Sequence, residues 1–168
     1  LFPANPAECF EMAVQSFDLA ERYQTPVFFM TDLDIGMNDW MIPELEWDDS
    51  YQPDRGKILS AEVLDRLTRK WEDSADAVPG PVIIEASKPT RRAIISLGGC
   101  DGAVREALDR LAERGIELNY LRVRGFPFSA EVEAFMDSHD EIYVVEQNRD
   151  AQLRGLLINE TSVDKTKL

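Results

Sequence analysis

The sequence is poor in the residues that hold disulfides and metal clusters. It contains two cysteines, Cys9 and Cys100, which are far apart and in no motif, and one histidine, His139. Two thiols cannot form the disulfide framework of a small secreted protein, which favours a reducing, cytoplasmic compartment. They are too few for an iron–sulfur cluster, which needs about four thiolates, and no Cys/His set for zinc is present. Any redox centre is therefore expected to come from another chain.

Basic residues are also scarce, with 18 Lys and Arg against 32 Asp and Glu, for a net charge of −14. Nucleic-acid binding needs clustered positive charge, and anionic lipid repels a surface this acidic, so we expect neither partner. No apolar run approaches the roughly 20 residues of a membrane-spanning helix. Residues 1–30 lack a secretory signal. Because Leu1 is not a natural initiator, we expect the chain to begin inside a longer polypeptide.

The first 58 residues predict one α/β unit followed by a long loop. Asn5 as cap, Pro6 and Glu8 in the capping-box position predict a helix that runs to about Tyr23. Residues 27–30 are apolar and predict a strand buried on both faces, which needs a partner outside this chain because a lone strand leaves its edges unpaired. The predicted apolar stripe of the helix comprises Phe10, Val14, Phe17 and Ala20.

The chain divides into three predicted parts: 1–58, the end of one domain plus a loop; 59–81, a helix and linker; and 82–168, a second domain. Residues 33–58 show no periodicity. Ser60 is expected to cap a helix that ends near Ala77, and the Pro- and Gly-rich residues 78–81 mark the boundary.

Strands and helices alternate regularly from Arg92 onward. Residues 93–97, 116–123 and 142–145 predict strands, and helices are expected to start at Asp101, at Ser129 and before Leu153. Gly115 is the expected stop of the first of these helices. This alternation predicts an α/β fold in which helices cover both faces of a parallel sheet.

Three loops follow these strands and are expected to meet at the carboxyl edge of the sheet, where α/β proteins bind ligands and partners. The first, a Gly-Gly turn, predicts either a tight turn or an anion site at a helix N-terminus. The second, with two phenylalanines, predicts either a local core plug or an anchor in a protein interface. The polar third loop predicts loop capping or hydrogen bonds between subunits. The candidate binding residues are Gly98, Gly99, Phe126, Phe128, Gln147, Asn148, Arg149 and Gln152.

No catalytic or metal-binding residue is predicted within the chain. Asp32 and Asp34 occupy a position where catalytic carboxylates occur, but no His or Lys lies near them in sequence, which favours a solvated turn. The acidic run 44–49 is interpreted as a solvated face rather than a metal site. His139 is expected to cap a helix C-terminus. The sequence has no G-x-S-x-G, H-E-x-x-H or C-x-x-C motif.

Several segments taken together resemble the α subunits of 2-oxoacid:ferredoxin oxidoreductases, in the pyruvate:ferredoxin oxidoreductase superfamily. Residues 1–10 (LFPANPAECF) and 18–27 (DLAERYQTPV) resemble the end of their thiamine-pyrimidine-binding domain, and 32–40 (DLDIGMNDW) is similar to the 2-oxoglutarate type. Residues 125–128 (GFPF) and 144–153 (VVEQNRDAQL) resemble the following domain, which is similar to the transketolase C-terminal domain.

The resemblance implies a reversible reaction in which a 2-oxoacid and coenzyme A give an acyl-CoA, CO₂ and reduced ferredoxin. Thiamine diphosphate, shared between the subunits, acts as the carbanion carrier, and a 4Fe-4S cluster takes the electrons. It further implies that Mg²⁺ and the cluster lie on a β subunit, that an (αβ)₂ complex assembles, and that this chain is inactive alone.

Two other interpretations stay open. The chain could be a non-catalytic α/β binding or assembly domain, or part of a transketolase-type thiamine enzyme that uses no iron. For the oxidoreductase, we expect ferredoxin to dock on the β subunit, because bacterial ferredoxins are usually acidic and this chain would repel them.

Overall fold

A four-stranded sheet organises the second half of the protein in a computed structural model that describes residues 1–54 and 63–168. The strands are β1 (Val82–Ile84), β2 (Arg92–Leu97), β3 (Asn119–Val123) and β4 (Glu141–Val145). Their order in the sheet is β1-β3-β2-β4. β2 is parallel to β3 and to β4, as the strand–helix alternation predicts, and β1 pairs with β3 in the antiparallel sense.

Helices cover both faces of this sheet. Alternate residues of the strands face α5 (Ala130–Asp137) and α6 (Gln152–Glu160) in one apolar cluster that includes Ile95, Leu121 and Leu157. The opposite face packs against α4 (Cys100–Ala112) through a second cluster that includes Ile94, Val104 and Tyr120. The predicted three-layer α/β architecture is confirmed. A short 3₁₀ helix, Lys165–Lys167, follows α6.

The first part of the chain contains α1 (Pro6–Tyr23), the short α2 (Leu33–Met37) and α3 (Val63–Ala77). The predicted start of α1 is confirmed: the Asn5 side chain accepts from the Glu8 N–H at 3.0 Å, and the Glu8 carboxylate accepts from the Ala4 N–H at 3.0 Å. Residues buried between α1 and α3 form a third apolar cluster around Met12 and Leu19. Within the described ranges, no helix is both long and apolar enough to span a bilayer.

The segment 27–30, predicted as a strand that pairs outside this chain, forms no strand among the described residues. The segment is extended, but its backbone bonds are with the chain's first residue: the Leu1 nitrogen donates to the Phe28 carbonyl at 2.7 Å, and the Met30 N–H donates to the Leu1 carbonyl at 3.0 Å. One short pairing does not build a ladder, so no strand forms. Nor is the segment buried on both faces, because Phe28 and Met30 are exposed while Val27 is half-buried.

The predicted apolar stripe of α1 is also wrong in direction. Met12 and Leu19, one heptad apart, face the interior, whereas Phe17 is 71% exposed. The helix carries apolar residues on two sides, so periodicity alone selected the wrong one. Phe10, on the predicted stripe, contacts Trp47 edge-on at 6.0 Å between ring centroids.

Smaller differences concern element ends. Asp101 lies inside the first turn of α4, where Gly99 is the N-cap, so Asp101 is not the cap. Ser129 is the N-cap of α5 as predicted, and Gly115 adopts φ +75° just after α4. The loop predicted after residue 33 begins with the five-residue α2. The helix ending at Ala77 is confirmed, while its predicted cap, Ser60, lies outside the described residues.

Candidate functional site

The three predicted loops lie side by side at the carboxyl edge of the sheet. They follow β3, β2 and β4, which are neighbours in the sheet and parallel to one another. The turn after β2 is tight, and Gly98 adopts φ +60°, a conformation that residues with a Cβ rarely adopt. Parallel β2, β3 and β4 therefore place Gly98, Phe126 and Gln147 along one edge, as the strand order of the sequence predicts.

Asp32 occupies the predicted anion position at the Gly-Gly turn. Its Oδ2 accepts from the Gly99 N–H at 2.7 Å, and its Oδ1 accepts from the Ile35 N–H at 3.0 Å, which caps α2. The fit is close, because a Cβ added at Gly99 would lie 2.5 Å from Asp32 Oδ2. Asp32 is half-buried, so the expected solvated turn is wrong for this residue. A carboxylate of the chain itself is thus the anion at the N-terminus of α4.

The polar loop after β4 joins the same edge. The Gln147 side-chain amide donates to Asp34 Oδ2 at 2.8 Å, and Asn148 Oδ1 accepts from the backbone N–H groups of Asp150 and Gln152, both at 3.1 Å. Arg149 makes its ion pair with the adjacent Asp150 and is almost fully exposed. Loop capping, one of the two predicted roles, is confirmed for Asn148.

Glu146 is a functional cap that sequence reasoning missed. Its carboxylate accepts from the Leu153 N–H at 2.8 Å and the Arg154 N–H at 3.2 Å, the free donors of the first turn of α6. A carboxylate near a helix N-terminus also interacts favourably with the helix dipole. The available signal was an acidic residue at the end of a buried strand, a few residues before a helix.

The two phenylalanines of the second loop have different surroundings. Phe128 packs against the cluster shared by the sheet, α5 and α6, so the core-plug interpretation is confirmed for it. Phe126 contacts Phe128 at 5.1 Å and Trp71 of α3 at 5.4 Å between ring centroids, in both cases edge-to-face. The peptide bond between Phe126 and Pro127 is cis. Phe126 thereby links the sheet edge to α3.

Phe126 also lines an apolar cleft of about 810 Å³ between the sheet edge and the first part of the chain. Its walls come from the first residues, the end of α1, the extended segment at 25–30 and α3. Lys70 lies at its wall and donates through Nζ to the Tyr23 carbonyl at 2.5 Å. The apolar lining includes Leu1, Phe2, Leu19, Val27, Phe28, Met30, Trp71, Val78, Pro127 and Leu156.

A buried ion pair fixes α1 to the sheet. The Arg122 guanidinium on β3 donates through both terminal nitrogens to the two Glu8 oxygens, each at 2.8 Å, and the Arg122 side chain is 4% exposed. Asp101 lies 3.8 Å from Arg122 Nε and accepts from the Tyr120 hydroxyl at 3.0 Å, which also contacts Ser96. No sequence motif signals the Glu8–Arg122 pair, because the two residues lie 114 positions apart.

These contacts set the protonation states of the pair. Burial alone would raise the pKa of Glu8, but the hydrogen bonds from Arg122 and Ala4 and the positive charges of Arg122 and Arg124 lower it below its usual value. Burial opposes the charge on Arg122 as well, yet Glu8 and Asp101 raise its pKa. Both groups are therefore charged at neutral pH, and the pair acts as a structural link.

The two thiols are not suited to nucleophilic chemistry. Burial raises the pKa of Cys100, and the nearby carboxylates of Asp32, Asp34 and Glu146 raise it further. Burial, Glu8 and Asp32 likewise raise the pKa of Cys9. The thiolate is the reactive form, so both cysteines are less nucleophilic at neutral pH than a free cysteine.

His139 has the structural role predicted for it. Its Nδ1 lies 2.6 Å from the Phe135 carbonyl in the last turn of α5, and its Nε2 lies 2.8 Å from the Asn119 side-chain nitrogen. The side chain is buried, and both of its ring nitrogens lie within hydrogen-bond distance of protein groups. In residues 1–54 and 63–168, no group of three or more His, Cys, Asp or Glu side chains is arranged to hold a metal ion.

No protein-family model matches the sequence, and no curated protein matches it either. Among solved structures, the fold is similar to that of a 2-oxoglutarate:ferredoxin oxidoreductase from Magnetococcus marinus with 2-oxoglutarate, coenzyme A and succinyl-CoA bound. The two share 24% sequence identity and a TM-score of 0.53 over 60% of this chain and 18% of that chain. The matched region is thus less than a fifth of the oxidoreductase chain. This similarity establishes a shared mixed α/β fold.

Proposed function

We propose that this chain is part of the α subunit of a thiamine-diphosphate-dependent 2-oxoacid:ferredoxin oxidoreductase of the 2-oxoglutarate type. Two comparisons that agree support this proposal. Segments at both ends of the sequence resemble this family, and the fold is similar to that of a 2-oxoglutarate:ferredoxin oxidoreductase. The reaction interconverts a 2-oxoacid and coenzyme A with an acyl-CoA and CO₂, with ferredoxin as electron carrier.

The residues of this chain do not fit the cofactors of that reaction. A 4Fe-4S cluster needs about four thiolates, and the sequence has two cysteines, whose raised pKa values disfavour the thiolate form. The described ranges contain no carboxylate group arranged for Mg²⁺. In the proposal, the cluster and the Mg²⁺-bound diphosphate end of thiamine diphosphate belong to a β subunit, and this chain supplies structure and contacts.

The carboxyl edge of the sheet is the proposed contact region of the second domain. Its polar side chains are exposed: Gln147, Asn148, Arg149 and Gln152 line the loop after β4, next to the turn at Gly98 and Gly99. Phe126 and Phe128 hold the neighbouring loop in place. Exposed amides and a guanidinium on a rigid edge suit hydrogen bonds to a second subunit in an (αβ)₂ assembly.

Co-expression of the full-length α chain with its candidate β subunit tests the proposal. We expect a co-purifying complex that contains iron and acid-labile sulfide and that reduces ferredoxin only when both 2-oxoglutarate and coenzyme A are present. The same complex assayed with pyruvate measures the preference for the 2-oxoglutarate type. A chain that remains monomeric beside the β subunit, or a complex that turns over without ferredoxin, would contradict it.

A non-catalytic assembly domain is the second candidate. It is favoured by the described residues themselves, in which the contacts of Glu8 with Arg122 and of Asp32 with Gly99 are structural links. A complex that assembles without any 2-oxoacid activity would support this candidate. Activity in a complex free of iron would instead indicate a transketolase-type thiamine enzyme.

A further inference from the structure

Exposed apolar side chains are concentrated in residues 28–49, here called the docking segment. Met41 is fully exposed, and Leu33 and Met37 on α2 are each 78% exposed. By contrast, the exposed large apolar side chains in the described residues from 82 to 168 are Ile83, Tyr143 and Val145, each less than half exposed. In the docking segment the exposed set is Phe28, Met30, Leu33, Met37, Trp40, Met41, Leu45 and Trp47.

The composition of the docking segment is that of a protein interface. It holds three of the five methionines and two of the three tryptophans of the chain. Methionine and aromatic residues are enriched at the centres of interfaces, and a stable interface uses about 20–30 residues on each side, which matches the length of this segment. Eight exposed large apolar side chains within 22 residues point to an interaction site rather than to scattered surface apolar residues.

The charge of the docking segment has one sign. It carries seven acidic residues, and no Lys, Arg or His occurs from residue 23 to residue 54. Among the described residues, none of these seven carboxylates is in an ion pair, although Asp32, Asp34 and Asp48 accept hydrogen bonds within the chain. The acids are Asp32, Asp34, Asp39, Glu44, Glu46, Asp48 and Asp49.

The segment is held at its ends and has little support between them. Asp32 and Asp34 tie α2 to the sheet edge through Gly99 and Gln147, and Trp47 contacts Phe10 of α1. In residues 39–54, the described backbone makes one backbone-to-backbone hydrogen bond, from the Tyr51 N–H to the Asp48 carbonyl. Ordered loops of this length without secondary structure are uncommon and are usually functional.

We propose that the docking segment binds a second protein whose surface has apolar recesses bordered by lysine and arginine. The apolar side chains would enter the recesses, and the carboxylates would pair with the basic border, which speeds association and fixes its register. A second copy of this chain does not fit, because it would bring two acidic segments together and like charges in an interface oppose association. The partner is therefore a different, basic protein surface.

This inference rests on the proposed function in that the partner is taken to be the β subunit of the oxidoreductase. The docking segment then supplies an apolar and acidic contact in the first part of the chain, beside the polar loops at the sheet edge to which Asp32 and Asp34 are hydrogen-bonded. Hydrogen bonds that Asp32 and Asp34 accept from the sheet edge fix the position of the docking segment. Leu33 and Met37 on the same short helix remain exposed.

Two variants of the full-length α chain test the inference by their affinity for the purified β subunit, measured by biolayer interferometry. Met37→Lys/Met41→Lys places two charges in the apolar contact and repels the basic border, so we expect affinity to fall at least about 100-fold. Glu44→Lys/Glu46→Lys reverses the acidic contribution. We expect slower association and a weaker dependence of the association rate on salt concentration.

Control variants place lysine on the second domain, at one exposed apolar position and at two exposed acids. Ile83→Lys places a charge at an exposed apolar position of the edge strand β1, and Asp109→Lys/Glu113→Lys reverses two exposed acids near the end of α4. We expect both to bind the β subunit within about twofold of the unmodified chain, as surface substitutions outside an interface do. Circular dichroism and thermal unfolding verify that all four variants fold.

The outcomes separate this inference from the proposed function. If the unmodified α and β chains do not assemble, both the proposed function and this inference are overturned. If they assemble into an active complex and the docking-segment variants bind as tightly as the controls, the inference is overturned and the proposed function stands. If these variants lose α-chain self-association but still bind the β subunit, the inference is also overturned, because the docking segment would then bind a second copy of this chain.

Discussion

Arg122 and Glu8 form a bidentate ion pair across 114 positions of sequence, with both nitrogen–oxygen distances at 2.8 Å. The pair lies where α1 meets β3, and it joins the two parts of the chain that the sequence divides near residues 78–81. Two further contacts surround it, from Arg124 to Glu8 and from Arg122 to Asp101. Removing one member of such a buried pair destabilises the folded protein strongly, because the charge of the other member stays buried without a partner.

Glu8→Gln is therefore expected to lower the free energy of unfolding by about 3 kcal/mol at pH 7, the loss typical when one member of a buried pair is removed. Glu11→Gln, on an exposed position of the same helix, should change it by less than about 0.5 kcal/mol. Urea unfolding of both variants measures the difference. Equal stability of the two variants would show that the pair contributes nothing.

The same pair predicts a pH dependence. The pKa of Glu8 is lowered in the folded protein, so its contribution is fully present above the unfolded value of about 4.3 and is lost as the pH falls through the lower folded value. Arg122 stays charged throughout. The stability difference between the unmodified chain and Glu8→Gln should thus be constant from pH 8 to about 5 and shrink at lower pH. A difference that grows on acidification would contradict the assignment.

Gly99→Ala tests the contact with Asp32. An added Cβ would lie 2.5 Å from Asp32 Oδ2, so the carboxylate must move and lose its 2.7 Å hydrogen bond. We expect a destabilisation of about 1–3 kcal/mol. In an Asp32→Ala background most of this cost should vanish, which a double-mutant cycle would report as a coupling of about 1–2 kcal/mol.

Gly102→Ala is the matched control for that cycle. It lies in the first turn of the same helix, and no atom approaches a Cβ at this position within 4 Å. It should stabilise the protein by about 0.5–1 kcal/mol through the higher helix propensity of alanine. Additive effects of Gly99→Ala and Asp32→Ala would mean that the two residues are not in contact in solution.

Alkylation by iodoacetamide tests the environment of the two thiols. Because burial and nearby carboxylates raise the pKa of Cys9 and of Cys100, the pH midpoint of their alkylation should lie above that of the urea-unfolded chain. Asp32→Asn removes a charge that acts on both thiols and should lower both midpoints. Asp39→Asn, an exposed acid that does not influence either thiol, should leave them unchanged, and mass spectrometry resolves the two sites.

The proposed function predicts where ferredoxin docks. Bacterial ferredoxins are usually acidic, and a chain of net charge −14 repels them, so cross-links in the reconstituted complex should fall mainly on the β subunit. Mass-spectrometric mapping of cross-links checks this. Frequent cross-links from ferredoxin to residues 92–168 would show that the docking surface is on this chain.

Local patterns predicted the second domain well, and long-range contacts explain what they missed. The parallel strands β2, β3 and β4, the helices between them and the cap at Asn5 follow from periodicity and capping residues. The antiparallel strand β1 did not, since three residues after a proline-rich turn are too few for a periodic signal. Burial in the first part was misjudged because Phe17 and Phe28 are apolar yet exposed.

For the candidate site as well, local patterns predicted part of the arrangement and long-range contacts determine the rest. The meeting of three loops at one edge could be predicted because parallel strands end on the same side of a sheet. The use of Asp32 could not, because its partner Gly99 lies 67 positions later and neither residue belongs to a motif. Sequence reasoning therefore located the surface and left open which groups occupy it.

The dual role of Asp32 has a mechanical consequence. One carboxylate begins α2 through Ile35 and simultaneously satisfies the first turn region of α4 through Gly99. Any displacement of α2 relative to α4 must therefore stretch or break one of these two hydrogen bonds, so the starts of the two helices share a single side-chain hinge point.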